Sequence, residues 1–245
     1  MINMQNVYNL VTYFIIYSFY GWTLESVYRS IKERKWINTG FLHGPFCPIY
    51  GIGAIIMYVF LYRYRQNPIL VFFAGFIVLS FWEYVVGAFL EKVFKTKYWD
   101  YSNVKFNLQG RICLSTSICW GVLGVVFVYL IQPGMSTVLG KIPNEIVMYA
   151  TFCMVIYLLA DTTITIIGIK DIEFGIKRLD ELKDNIKLKV EELKKANKGT
   201  EEIQKVIEEL KYKETRLRRK ILVRINRLRR AFPNMKSDSI SKFLK

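Results

Sequence analysis

Apolar residues fall into five long blocks separated by short polar loops, and the last third of the chain changes to a different rhythm. The blocks run over about 7–28, 46–62, 69–90, 112–131 and 146–169, each near the roughly 20 residues a helix needs to cross a hydrocarbon core. They predict five transmembrane helices. The second is the weakest: its uninterrupted apolar part is short and follows Pro45 and Pro48, so a re-entrant or buried half-helix is the alternative. Beyond residue 169, apolar positions recur every three or four residues, at Ile172, Ile176, Leu179, Leu182, Ile186, Val190 and Leu193, which makes one helical stripe. "ANKGT" (196–200) then supplies a glycine stop and Thr200 as N-cap, with Glu201 and Glu202 in the first turn, where acids favour the positive end of a helix. A second stripe follows from Ile203 through Ile207, Leu210, Leu217, Ile221, Ile225 and Leu228 to Phe232. At 1.5 Å per residue, helices of about 25 and 32 residues are about 37 and 48 Å long and project well beyond the headgroups. The pattern thus predicts an all-α integral membrane protein: a transmembrane domain over 1–169, a cytoplasmic helical hairpin or coiled coil over 170–233, and a flexible tail over 234–245.

Charge supports the division. The 245 residues are 52% hydrophobic and 16% aromatic, yet carry a formal charge of +15. Up to Ile169 there are twelve Lys/Arg against seven Asp/Glu; from Lys170 onward there are 23 against 13, so ten of the fifteen charges lie on the last third. Basic residues are retained on the cytoplasmic side of a membrane. The first block has none before it, and the successive loops carry four, two, five and one, followed by the basic tail. That alternation predicts a multi-pass protein of the cell membrane with its N-terminus outside and its C-terminus in the cytoplasm. The first block lacks a basic flank and a small-residue cleavage site, so it reads as a span and not as a signal peptide.

The chain also resembles itself. "GWTLESVYRS" (21–30) aligns with "GAFLEKVFKT" (87–96) at an offset of 66, pairing Glu25 with Glu91 and Arg29 with Lys95. "GFLHGPFCPIYG" (40–51) aligns with "GRICLSTSICWG" (110–121) at an offset of 70, pairing Gly40 with Gly110, Tyr50 with Trp120 and Gly51 with Gly121. Both units run span, basic loop, span, which predicts a parallel two-span repeat; transporters often place a pathway between such repeats.

Several polar residues stand out against this apolar background. Glu83 and Asp161 lie inside apolar blocks, where an unpaired charge costs roughly 2.5 to 3.5 kcal/mol on the insertion scale. Binding a substrate cation, carrying protons and locking helices together all fit them, and Arg111 is a candidate partner for Asp161. Glu25 and Glu91 occupy equivalent places at helix ends, where pairing with Arg29 and Lys95 at i, i+4 is the plain reading. Pro45 and Pro48 suit the first turn of a helix, beside Gly44 and Tyr50, and Gly51 and Gly53 allow a neighbouring backbone close. In "YWDYSNVKFNLQGR" (98–111) the aromatic and amide residues suit the headgroup zone. The functional alternative is contact with a headgroup or substrate by Asp100, Asn107, Gln109 and Arg111. His43 has no acid or cysteine near it in sequence, and Cys47, Cys113, Cys119 and Cys153 form no Cys-x-x-Cys pair, so no metal site, disulfide framework or cofactor is expected.

Enzyme motifs are missing too. The nearest approach to a phosphate loop, "GMSTVLGKI" (134–142), has one residue too many and Ile where a hydroxyl is required. There is no Gly-x-Ser-x-Gly elbow. The end of the second hairpin helix instead concentrates nine basic residues against one Glu, among them Arg216, Arg218, Arg219, Lys220, Arg224, Arg227, Arg229 and Arg230. Anionic lipid would attract them at about 1 kcal/mol each. A coiled-coil partner or a second copy could use the apolar stripe, and nucleic acid is the weakest candidate.

"GWTLESVYR" (21–29), "TGFLHGPFCPIYGIGA" (39–54), "WDYS" (99–102) and "NLQGRICLSTSICWGVLG" (107–124) together resemble the bacterial ABC-transporter type IV family, also called CmpB-like permeases, over roughly residues 10–165. The resemblance implies a multi-spanning permease-like subunit that moves a small solute or lipid while a separate chain hydrolyses ATP. Its motif positions include Gly21, Trp22, Glu25, Gly44, Pro45, Pro48, Tyr50, Gly51, Asp100, Gln109 and Arg111. The alternative is a non-transporting membrane scaffold or regulator that recruits a partner through the charged hairpin, which lies outside the resemblance.

Overall fold

A computed structural model of the chain describes residues 4–195 and 200–244. It is helical almost throughout. Helix α1 (Met4–Glu33) leads through an irregular loop to α2 (Pro48–Ile56), which continues as a π turn (Met57–Leu61) and a 3-10 turn (Tyr62–Tyr64). Helix α3 (Pro68–Phe94) is followed by two short antiparallel strands, β1 (Asn107–Leu108) and β2 (Ile112–Cys113). Then come α4 (Leu114–Val126) with its own π turn (Phe127–Ile131), α5 (Gln132–Leu139), α6 (Asn144–Lys195), α7 (Thr200–Ala231) and α8 (Asp238–Leu244).

Local chemistry sets the helix ends. Asn67 caps α3, its Oδ1 accepting from the Ile69 and Leu70 amides at 3.1 Å, with Pro68 in the first turn where its missing N–H costs nothing. Pro48 opens α2 in the same way. The left-handed residues Arg34 and Lys95 end α1 and α3.

The expectation of five spans is corrected to three. Among the described residues, Pro68–Phe94, Leu114–Leu139 and the first part of the long helix from Asn144 are long and apolar enough to cross a membrane. The apolar helical run Pro48–Tyr64 is too short, because the chain turns at Arg65–Asn67. Helix α1 has the length, but Asn9, Thr12, Ser18 and a series of tyrosines dilute its apolar character. Those polar groups are used inside the bundle: Thr12 bonds Thr151 of α6 at 3.0 Å, and Tyr17 donates to Gln132 of α5 at 2.7 Å.

Helices pack as two adjacent pairs, α1 with α2 and α3 with α4. Three features recur seventy residues apart: left-handed glycines at Gly40 and Gly110, tight glycines at Gly51 and Gly121, and the π turns 57–61 and 127–131. A Cβ on Gly51 would press on Phe14 and Ser18 of α1, and one on Gly121 on Phe72 of α3, so each pair closes on its glycine. Gly53 is not such a contact, because only Leu79 comes within reach. The two π turns touch, with Leu61 fully buried between Gly75 and Gly124.

Helix α6 continues without a break from the apolar segment into the charged hairpin, 52 residues and about 78 Å in all. The predicted turn at 196–199 lies outside the described residues. The base of the hairpin does not stand free: Ile172, Ile176 and Leu179 of α6 and Ile221, Ile225 and Leu228 of α7 form one core with Phe41 and Tyr98 from the two interhelical loops and Phe94 at the end of α3. The tail expected to be flexible joins that core through Ile240 of α8, and its Lys236 backbone exchanges two 2.8 Å hydrogen bonds with Lys97. Burial of an apolar side chain and pairing of the backbone give the tail a fixed place.

Candidate functional site: an acidic aromatic chamber between the helix pairs

Between the two helix pairs, toward the hairpin end, lies a cavity of about 380 Å³. Glu25 of α1 and Glu83 of α3 both line it. Each carboxylate is held by aromatic donors from other segments. Tyr50 of α2 donates to Glu25 Oε2 at 3.0 Å; Trp120 of α4 donates to Glu83 Oε2 at 2.8 Å, and Tyr101 of the second loop to Oε1 at 3.2 Å. Burial first, and then the Glu83 carboxylate, keep the Tyr101 phenol well above the usual tyrosine range, so it serves as a proton donor. Tyr50 and Trp120, one from each pair, face each other with ring centroids 6.4 Å apart. Gly21 makes room for Tyr50, since a Cβ there would collide with the ring. Trp82, Trp99, Phe41 and Phe232 complete the aromatic wall, and Phe232 comes from the turn just after α7, so the hairpin base is part of the chamber.

Asp161 does something else. Its carboxylate receives the backbone amides of His43 (3.1 Å) and Gly44 (2.8 Å), while His43 Nδ1 meets Thr165 at 2.7 Å. The buried acid in α6 therefore pins the first interhelical loop, and Gly44 is required because a Cβ would strike Tyr157 and Asp161. The candidate pairing of Asp161 with Arg111 is not formed. Arg111 instead binds Glu91 at 2.8 Å, stacks its guanidinium over the Tyr84 ring at 5.2 Å, and contacts Gln109. The i, i+4 pairs are replaced as well: Glu91 takes Arg111, and Arg29 pairs with Glu33 while donating to the Arg230 and Ala231 carbonyls at the end of α7. Glu91 takes a cation from the second loop, and Arg29 reaches the end of α7, because loop and hairpin fold back onto the helix ends.

In the second loop, the polar candidates brace one another. Asp100 accepts from the Ser102 amide at 3.1 Å and pairs with Lys97 and Lys236. Asn107 donates to Val104 O at 2.7 Å and accepts from the Gly110 amide at 3.0 Å; Gln109 accepts from Tyr84 at 2.8 Å. Pro45 lines an apolar cleft beside Phe46, and Pro48 borders the chamber. Of the basic candidates, Arg227 is turned inward to the Phe41 and Leu42 carbonyls and Arg224 bonds Asp171 at 2.9 Å. Arg216, Arg218, Arg219, Lys220, Arg229 and Arg230 remain exposed. Sequence reasoning singled out both glutamates but not that they share one cavity, and it missed Tyr101, Trp82 and Phe232. The aligned Tyr50 and Trp120 were the available signal.

Comparison with curated proteins and with solved structures found no significant match. A family model does match, over residues 12–166, which takes in both helix pairs, the pinned loop and most of the chamber. The chain belongs to the family described as "Putative ABC-transporter type IV".

Proposed function

We propose that this chain is a permease-like membrane subunit that moves a small solute or lipid, with ATP hydrolysed by a separate chain. The observation that carries the reading is the chamber itself, in which a buried acid, Glu83, and a half-buried one, Glu25, one from each helix pair, face a common space at the pair interface. Repeat interfaces are where transporters place their sites, and the features spaced by seventy residues support reading the two pairs as parallel repeats. The basic loops, the hairpin and the C-terminal end lie on one side of the bundle, which by the retention of basic residues is the cytoplasmic side. The cell membrane is the corresponding location, and the chain itself needs no catalytic residues. Asp161, Glu91 and Arg111 then act as helix and loop fasteners around the chamber.

A second reading, a scaffold that recruits a partner through a coiled coil, is supported by the part of the hairpin beyond its packed base, where Leu188 and Tyr212 are exposed. One experiment separates the two. The full chain, and a version in which 184–212 is replaced by a short turn so that the base is kept, are purified in mild detergent with whatever binds them. Recovery of a nucleotide-hydrolysing subunit with both supports the permease; its absence, with a partner lost on shortening the hairpin, rejects the permease in favour of the scaffold.

A further inference from the structure

The chamber's charge and lining determine what it can hold. Its two carboxylates face a space whose lining residues include no Lys, Arg or His. The hydrogen bonds they receive come from neutral donors: two phenols and an indole. Arg29, one turn from Glu25, directs its guanidinium to Glu33 and to the end of α7. Glu83 is 6% exposed, and an uncompensated buried carboxylate is costly unless a cation joins it. The walls supply the other half of the recognition. Aromatic faces attract cations through the ring quadrupole, most of all weakly hydrated ammonium groups, whose desolvation is easy to offset.

We propose that the chamber between the helix pairs binds an organic ammonium ion with an apolar body, its positive head between Glu25 and Glu83 and its apolar part against the tryptophans. The volume suits a small organic ligand, since such sites begin near 300 Å³. A divalent metal fits less well: hard cations take six or more oxygen ligands, and among the described residues no group of three or more His, Cys, Asp or Glu comes together. A zwitterionic headgroup would leave its phosphate without a basic partner. Ile52 and Phe89 border the chamber and are themselves exposed, 37% and 59%, so its mouth is apolar and suits a ligand arriving from the bilayer. The inference rests on the transport reading only for its biological use; binding is a separate property of the chain.

Three tryptophans line the chamber, so intrinsic fluorescence reports on it. The full chain in a nonionic detergent is titrated with hexyltrimethylammonium chloride, sodium hexanesulfonate and dodecylphosphocholine. Saturable quenching by the ammonium salt, little response to the sulfonate, and about tenfold weaker ammonium binding in the folded Glu25→Gln/Glu83→Gln variant support the proposal. Stronger binding of the phosphocholine than of the simple ammonium would overturn it, because the chamber has no basic partner for a phosphate. Equal responses to cation and sulfonate, or unchanged binding in the folded double variant, overturn it. If that variant does not fold, the cation-over-anion selectivity of the native chain decides. Selective binding without recovery of an ATPase subunit keeps the inference and removes the transport reading; an ATPase partner without selectivity does the reverse.

Discussion

Single residues carry two kinds of constraint, space and charge. Gly51 lies at a close approach of α1 to α2, where a Cβ would strike Phe14 and Ser18, so Gly51→Ala forces the helices apart and should destabilise by about 1–3 kcal/mol. Gly134 has open space around it, so Gly134→Ala should leave stability unchanged or slightly higher; thermal midpoints of both variants in one detergent test the contrast. Charge acts at Asp100. Burial by itself would raise its pKa, but Lys236, Ser102 and Lys97 outweigh it and hold the carboxyl well below the ordinary aspartate range. A folded value below the unfolded one gives stability that is fully present above about pH 3.9 and is lost as pH falls through the folded value. Denaturation midpoints from pH ~5 down to ~2 should therefore drop in the native chain, and the part due to this group should vanish in Asp100→Asn.

At the scale of elements, the hairpin base is fastened to the first interhelical loop. Arg227 donates to the Phe41 and Leu42 carbonyls from a half-buried position, so Arg227→Ala leaves acceptors unsatisfied and should cost about 1–3 kcal/mol. The Arg224–Asp171 pair is half exposed on both sides, so Arg224→Ala should cost at most about 1 kcal/mol. Limited proteolysis at the Phe232–Lys236 connection, faster in the first variant and unchanged in the second, is the check. Because Phe41 and Phe232 also line the chamber, loosening this joint should change ammonium-induced quenching even though residue 227 lies outside it.

For the whole molecule, the hairpin is two things joined end to end: a packed base that closes the chamber and a distal part, 184–212, whose described residues belong to none of the buried cores. Replacing 184–212 by a short turn should leave the stability within about 0.5 kcal/mol of the native chain, as surface changes do. Removing 232–245 takes away Phe232, Ile240 and the pairing with Lys97, and should lower it by several times as much. Differential scanning fluorimetry of the two versions separates the roles.

By itself the sequence determined the helical class, the apolar segments of three long helices, the two hairpin stripes and the unusual standing of Glu83 and Asp161, because periodicity and the cost of a charge in an apolar run are local properties. The spacing of seventy residues was likewise legible at Gly40 and Gly110 and at Gly51 and Gly121. Only the tertiary structure decided the partners. Arg111 meets Glu91 and not Asp161, and Asp161 holds backbone amides of a loop more than a hundred residues away. The tail is fixed because Ile240 finds a core built from three separate segments. Glu25 and Glu83 become one site because two helix pairs close face to face and bring Tyr50, Trp120 and Tyr101 around them. Such long-range pairings depend on where the chain returns in space, and no local pattern encodes that.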